Sequence, residues 1–193
     1  IVDLEKAIIQ SCDVYFYMLA NNLGIQKMTS FFKHFSFGEK TGIDMPYESS
    51  GVLPTNEWKL KNIGHEWTKG DTVITGIGQG YFLTTPIQLA YATSIIANNG
   101  SIVIPKLNKN IQMKKNKKIL EKENYLKNKI NLKDWETINN AMFKVVNQEN
   151  GTAYWATKNK NNNISGKTGT VQVYSLSQKT DVREKEDIPD YLK

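Results

Sequence analysis

The chain is poor in the residues that most often announce a function outright. Among its 193 residues there is one cysteine, Cys12, two histidines, His34 and His65, and five prolines. A single cysteine closes no internal disulfide, so neither a stapled fold nor a redox compartment can be read from it, and Cys12 reads as a small, part-buried filler. The two histidines stand far apart with no second ligand at metal spacing, which argues against a zinc site. No apolar run approaches the length of a bilayer span, and there is no signal-like start. No cofactor is called for. Basic residues exceed acidic ones, 25 to 19, for a net charge of +6. Much of that excess lies in the Lys- and Asn-rich stretch 106–133, where Tyr125 is the one aromatic. A stretch without a stacking platform is no nucleic-acid patch, and it reads as a solvated variable insert. Asn150-Gly151-Thr152 and Asn163-Ile164-Ser165 match glycosylation sequons, but a chain this rich in asparagine produces such matches by chance.

What is present suffices for one domain with a real core. Asp3 can cap a short helix through Ile9 that ends at a turn around Ser11. A second helix is predicted over about Val14–Leu23, with Tyr15, Met18, Leu19 and Leu23 on one face and Gly24 as its stop. A third covers Met28–Phe35. Residues 38–71 read as loop, and a loop that long usually carries function or docks on a neighbouring surface. Thr85-Pro86 is a clear helix start, because threonine can cap free N–H groups and proline at the first position has none to leave orphaned. That helix runs through Ile95 and stops at Asn98-Asn99-Gly100. Ile102–Ile104 reads as a short strand. Asn131 caps a helix with Trp135, Ile138, Met142 and Val145 at helical spacing, and a further turn of helix covers Thr152–Thr157. The tail from Ser175 is polar and charged and is expected to protrude.

Lys167-Thr168-Gly169 is the most telling triplet. It leads into the β-prone run from Val171, which predicts a strand over 164–174 whose glycine lets bare backbone approach a substrate. Lys167 brings positive charge and Thr168 a hydroxyl for an anionic group. The triplet is the third element of a serine acyl-transferase set, after S-x-x-K and S-x-N. Ser11-Cys12-Asp13 falls where the second element belongs, although a lone serine there is as readily a helix cap or turn residue. No S-x-x-K precedes it. Ser30-Phe31-Phe32-Lys33 matches the pattern in the wrong order, inside an apolar helical run, and reads as a solvent face.

The segment 76–90, Gly-Ile-Gly-Gln-Gly-Tyr-Phe-Leu-Thr-Thr-Pro-Ile-Gln-Leu-Ala, closely resembles a block of the class B penicillin-binding proteins. So do Ser11–Tyr17, Thr41–Pro46 with Glu48–Gly51, and Pro54–Lys59, and with Lys167–Thr170 these blocks stand in family order over residues 1 to about 175. Asp13 and Gln172-Val173 are similar to the elongation type, penicillin-binding protein 2. The resemblance implies an α+β fold, a partial penicillin-binding transpeptidase with an antiparallel sheet, packed helices and an all-helical subdomain. The expected division is a helical segment 1–37, a loop region 38–83, helices 84–158 with the insert 106–133, the strand 164–174 and the tail 175–193. On this reading the chain starts downstream of its nucleophile and stops short of the last strands and helix. A piece of that kind is expected to be poorly stable alone.

The implied activity is D,D-transpeptidation of peptidoglycan at the periplasmic face of the bacterial inner membrane, with no nucleic acid involved. Stem peptides ending in D-Ala-D-Ala are the substrates and β-lactams the inhibitors. A glycan-polymerising membrane partner and a shape-determining scaffold are expected. By resemblance, Ser11 relays a proton to the leaving amine, bridging toward Lys167, which sets positive potential. Thr168 and Thr170 hold the substrate carboxylate, the Thr170 N–H supplies half of an oxyanion hole, and Gly169 keeps the strand open. Asp13 stands where asparagine is commoner; a carboxylate accepts a hydrogen bond there but cannot donate one. Gly78-Gln79-Gly80 is expected to be a tight structural turn beside the site. The rival readings are a non-catalytic interaction fragment or degenerate homologue, favoured by the lack of S-x-x-K, and a β-lactam sensor or β-lactamase, disfavoured by the Gly-Gln-Gly block.

Overall fold

The computed structural model describes residues 2–158 and 163–171. Among them run nine α-helices: α1 Leu4–Ile9, α2 Asp13–Leu23, α3 Ile25–Phe32, α4 Asn56–Ile63, α5 Lys69–Thr75, α6 Pro86–Ala97, α7 Lys117–Lys129, α8 Leu132–Asn147 and α9 Tyr154–Thr157. A 3₁₀ turn, Lys33–Phe35, extends α3.

The sixteen residues of α8 reach about 24 Å, and their apolar spacing serves two cores. Near its start Trp135 packs with Phe35, Tyr91, Ile95, Ile102 and Leu126, the core between α6 and α7. Near its end Ala141, Val145 and Val146 pack on Ile8 of α1. Lys144 pairs with Glu5 across the same contact. The α1–α2 turn is therefore fixed against the C-terminal end of α8.

Small residues set the second approach. Ala20 of α2 is buried, and a Cβ added at Gly76 would come within 2.4 Å of its methyl group. That close contact brings the end of α5 and the segment 76–80 alongside α2. The α4–α5 pair is locked in turn by Lys59 and Asp71, 2.7 Å apart and largely buried. Both helices are capped by threonine, α4 by Thr55 and α5 by Thr68 in a capping box with Asp71.

Several expectations are corrected. Residues 38–71 are not one loop, because α4 and the start of α5 lie within them. The remaining stretch is held by Glu48, whose carboxylate accepts from the Thr41 N–H, the Thr41 hydroxyl and the Gly42 N–H. The insert 106–133 is not merely solvated: Asn116 caps α7, Leu126 is fully buried, and Glu123 is buried as well. Burial alone would raise the proton affinity of Glu123, but hydrogen bonds from Lys115, Lys127 and the Ile102 N–H outweigh it and bring the pKa down to about 2. The expected face of α2 stays largely uncovered, a point the spacing left open: Met18 is 64% exposed and Leu19 and Leu23 are also exposed. Neither Ile102–Ile104 nor residues 163–171 form a strand; the bridge Val52–Leu83 is the β pairing among the described residues. The rest of the expected 164–174 strand and the tail lie outside the described residues. No helix among them is long and apolar enough to cross a membrane.

Candidate active site

Ser11 occupies an unusual backbone position for a serine. Its φ is +52°, and it follows α1 at the place where a helix normally ends on glycine. Its N–H donates to the Ile8 carbonyl (3.4 Å) and the next N–H, of Cys12, to the Ala7 carbonyl (2.9 Å). This pair of bonds is a Schellman closure, with a side chain where none is usual. Asp13 then opens α2.

The Lys167 stretch is held from two sides. The Gly166 N–H donates to the Met142 carbonyl (3.0 Å), and the Asn147 amide donates to the Ile164 carbonyl (2.9 Å), so α8 pins the approach to Lys167. On the far side the Gln79 Nε2 donates to the Thr170 carbonyl (2.8 Å). Gly78 and Gly80, both at φ +75°, give the turn that aims Gln79, and Gly78 has open space beside it. The expected structural turn thus carries a side chain that touches the site.

Between these supports the Lys167 Nζ donates to the Ser11 Oγ at 2.5 Å and to the Thr168 carbonyl at 3.0 Å. Ser11 and Thr168 hydroxyls lie 3.2 Å apart. Asp13, Gly169 and Thr170 line the same cleft of about 640 Å³, together with Gln79 and Phe16. A Cβ built on Gly169 meets nothing within 4 Å, so that position faces open cleft. The Lys167 side chain as a whole is exposed, but its ammonium is crowded by protein. Burial is the main influence and lowers its proton affinity from the ordinary lysine value; the Asp13 carboxylate opposes that shift.

Residues 11, 13, 79 and 167–170 therefore share one cleft, while Gly78 and Gly80 shape the turn behind it. Ser30 and Lys33 do not line it. Cys12 is half-buried with a free thiol. His34 stacks on Tyr125, centroids 3.7 Å apart, and no metal-binding group of three or more His, Cys, Asp or Glu exists among the described residues. One contributor escaped the sequence reading. The Thr152 hydroxyl stands 2.9 Å from Thr168 and 3.4 Å from Ser11. Its signal was the preceding glycine: a Cβ at Gly151 would fall 2.3 Å from the Val145 carbonyl oxygen, so only glycine permits that turn.

The penicillin binding protein transpeptidase domain matches residues 1–188. The chain is 42% identical over 182 residues to the peptidoglycan D,D-transpeptidase MrdA of Acinetobacter baumannii, covering 92% of this chain and 26% of that protein. Among solved structures it is similar to the penicillin-binding protein PBP2 of Helicobacter pylori in complex with MreC, at TM-score 0.75 and 37% identity over 89% of this chain and 31% of that one. Pseudomonas aeruginosa PBP2 in complex with WCK 5153 gives TM-score 0.74 and 37% identity, over 89% of this chain and 39% of its own. The chain belongs to the penicillin-binding protein transpeptidase family. The two solved structures are PBP2 proteins, and the chain spans between a quarter and two fifths of the length of these three relatives.

Proposed function

We propose that the cleft is one wall of the acylation centre of an elongation-type peptidoglycan D,D-transpeptidase. The observation that carries the reading is the 2.5 Å contact between Lys167 and Ser11, residues 156 apart in sequence. The attacking serine comes from an S-x-x-K element elsewhere in the polypeptide. Its hydroxyl gives its proton to the lysine of the same S-x-x-K element as its oxygen bonds to the carbonyl carbon of the penultimate D-alanine, the C–N bond to the terminal D-alanine breaks, and the leaving nitrogen takes a proton. Ser11 gives that proton and recovers one from Lys167, which lacks any acceptor role of its own while charged and is recharged by the proton held on the S-x-x-K lysine. Thr168 and Thr170 hold the terminal carboxylate. The Thr170 N–H, with that of the nucleophile, receives the oxyanion, a donor of that kind being worth roughly 3–4 kcal/mol in the transition state. The acyl group then passes to the amine of a neighbouring stem. A β-lactam opens its ring amide in the same way and stays. The protein acts at the periplasmic face of the inner membrane, beside a glycan-polymerising partner and a scaffold of the MreC kind, the latter suggested by the H. pylori complex.

Fluorescent penicillin followed by a denaturing gel tests the reading on the full-length protein. Gly169→Val abolishes labelling and leaves the melting temperature within about 2 °C of wild type, because the added methyls enter cleft and not core. Full labelling of this variant would remove Thr168–Thr170 from the acylation centre.

A pH profile tests the relay. Lys167 must be charged to return the proton, so acylation falls as pH rises through its lowered pKa. Asp13→Asn removes the carboxylate that supports the charged form. The alkaline limb of the acylation rate then moves to lower pH. An unmoved limb, or one shifted upward, would separate Lys167 from the rate.

A further inference from the structure

Three hydroxyls, those of Ser11, Thr152 and Thr168, form a triangle with edges of 3.2 Å (Ser11–Thr168), 3.4 Å (Ser11–Thr152) and 2.9 Å (Thr152–Thr168). Lys167 borders it and can only donate, giving a short bond to the Ser11 oxygen (2.5 Å) and a long one to the Thr168 oxygen (3.4 Å), which leaves that oxygen's second lone pair for a closer donor. Each hydroxyl has one proton. If the three donate around the ring, every proton is spent inside it and none faces a ligand.

On the proposed function two of those protons have work outside the triangle. Ser11 must release its proton toward the leaving nitrogen, and Thr168 must donate to the ligand carboxylate. Thr152 has no outward partner among the described residues, and its shortest contact is the Thr168 oxygen. Building on that function, we infer that Thr152 is a positioning residue: its hydroxyl donates to the Thr168 oxygen and so turns the Thr168 O–H outward, onto the carboxylate of the incoming substrate or β-lactam. Without that donation the Thr168 proton turns inward to Ser11, and the carboxylate loses a charge-assisted bond.

The backbone supports such a part without help from the side chain. The Thr152 N–H donates to the Ile9 carbonyl at 3.2 Å, at the end of the helix that Ser11 follows. The Ala153 N–H donates to the Val145 carbonyl at 3.1 Å, at the end of the helix that pins Gly166. Thr152 is itself exposed, so valine, of the same shape, fits in its place.

The test uses the full-length protein with Thr152→Val and Thr152→Ser. β-Lactam acylation is followed by stopped flow and split into the initial binding constant and the rate at saturation. Thr152→Val weakens initial binding of a penicillin about tenfold, the worth of one hydrogen bond to a charged group, while the saturating rate changes far less. Thr152→Ser restores binding. Penicillin methyl ester, which has no carboxylate, loses nothing in Thr152→Val. Unchanged penicillin binding in Thr152→Val overturns the inference, as does equal loss with the ester, or a serine variant as weak as the valine at an unaltered melting temperature. Ser11→Ala run beside them distinguishes the two levels. If it labels as wild type does, the acylation reading falls and the inference with it. If it fails to label while Thr152→Val binds normally, only the inference falls.

Discussion

Replacing Ser11 with alanine lowers the rate of penicillin acylation of the full-length protein by roughly 10²–10⁴-fold, the usual worth of a positioned proton donor. Glycine at the same place gives the same loss but a different fold energy. Ser11 holds a φ of +52°, which costs a residue with a Cβ about 1 kcal/mol relative to glycine. Ser11→Ala keeps that strain and melts like wild type; Ser11→Gly relieves it and melts no lower, and with its Schellman bonds intact, higher. The pair therefore divides the hydroxyl from the backbone. Lys167→Met falls by a similar factor, and the Ser11→Ala/Lys167→Met double variant is no worse than either single one, since both remove the same relay. Multiplicative losses in the double variant would mean that the 2.5 Å contact is not the path of the proton. A Ser11→Gly variant with wild-type acylation would take the Ser11 hydroxyl out of the chemistry.

That serine also marks where sequence reading stops. Thr85-Pro86 and Asn131 announced α6 and α8 because caps and apolar spacing are local, and the structure places α6 at Pro86–Ala97 and α8 at Leu132–Asn147. The Lys-Thr-Gly triplet drew notice for its residue types, and a type says nothing of company. Its neighbour Thr152 depends on α8 folding back through Gly151, a contact set by packing. Helices α4 and α5 hid because they lack an apolar stripe. Their stability comes from threonine caps and the Lys59–Asp71 pair, which no periodicity reveals, though Thr68-x-x-Asp71 is a capping box in plain letters. The helical spacing of Met18 and Leu19 announced α2 correctly but said nothing of what covers them, and both are exposed. The β-prone residues near Lys167 failed in the opposite way. A strand exists only with a partner to pair with, and residues 163–171 have none among the described residues.

The largest loss of stability is expected at Gln88, which the family-like block presents as one more polar residue on a helix. It is fully buried. The two protons of its amide nitrogen are shared among the carbonyls of Ser36 (3.2 Å), Glu39 (2.8 Å) and Ser50 (2.8 Å), fastening the segment between α3 and α4 onto α6. Its oxygen accepts from the Thr85 N–H at 2.9 Å and closes the capping box. Gly51 is needed beside it, since a Cβ there would meet the Leu83 oxygen at 2.3 Å and the Gln88 oxygen at 2.9 Å. Gln88→Leu strands several of these groups where water cannot reach them, at roughly 3 kcal/mol or more. For a domain of this size that lowers the melting temperature by about 6–12 °C. Gln88→Glu isolates the cause. Glutamate keeps the acceptor that caps α6 but cannot donate while charged, and it sets a carboxylate against three carbonyl oxygens. Its melting temperature falls at least as far as that of Gln88→Leu at neutral pH and recovers in part on acidification, when a protonated carboxyl can donate one bond. A Gln88→Glu variant as stable as wild type at neutral pH would show that the cap, and not the three-way donation, is what holds the loop to the helix.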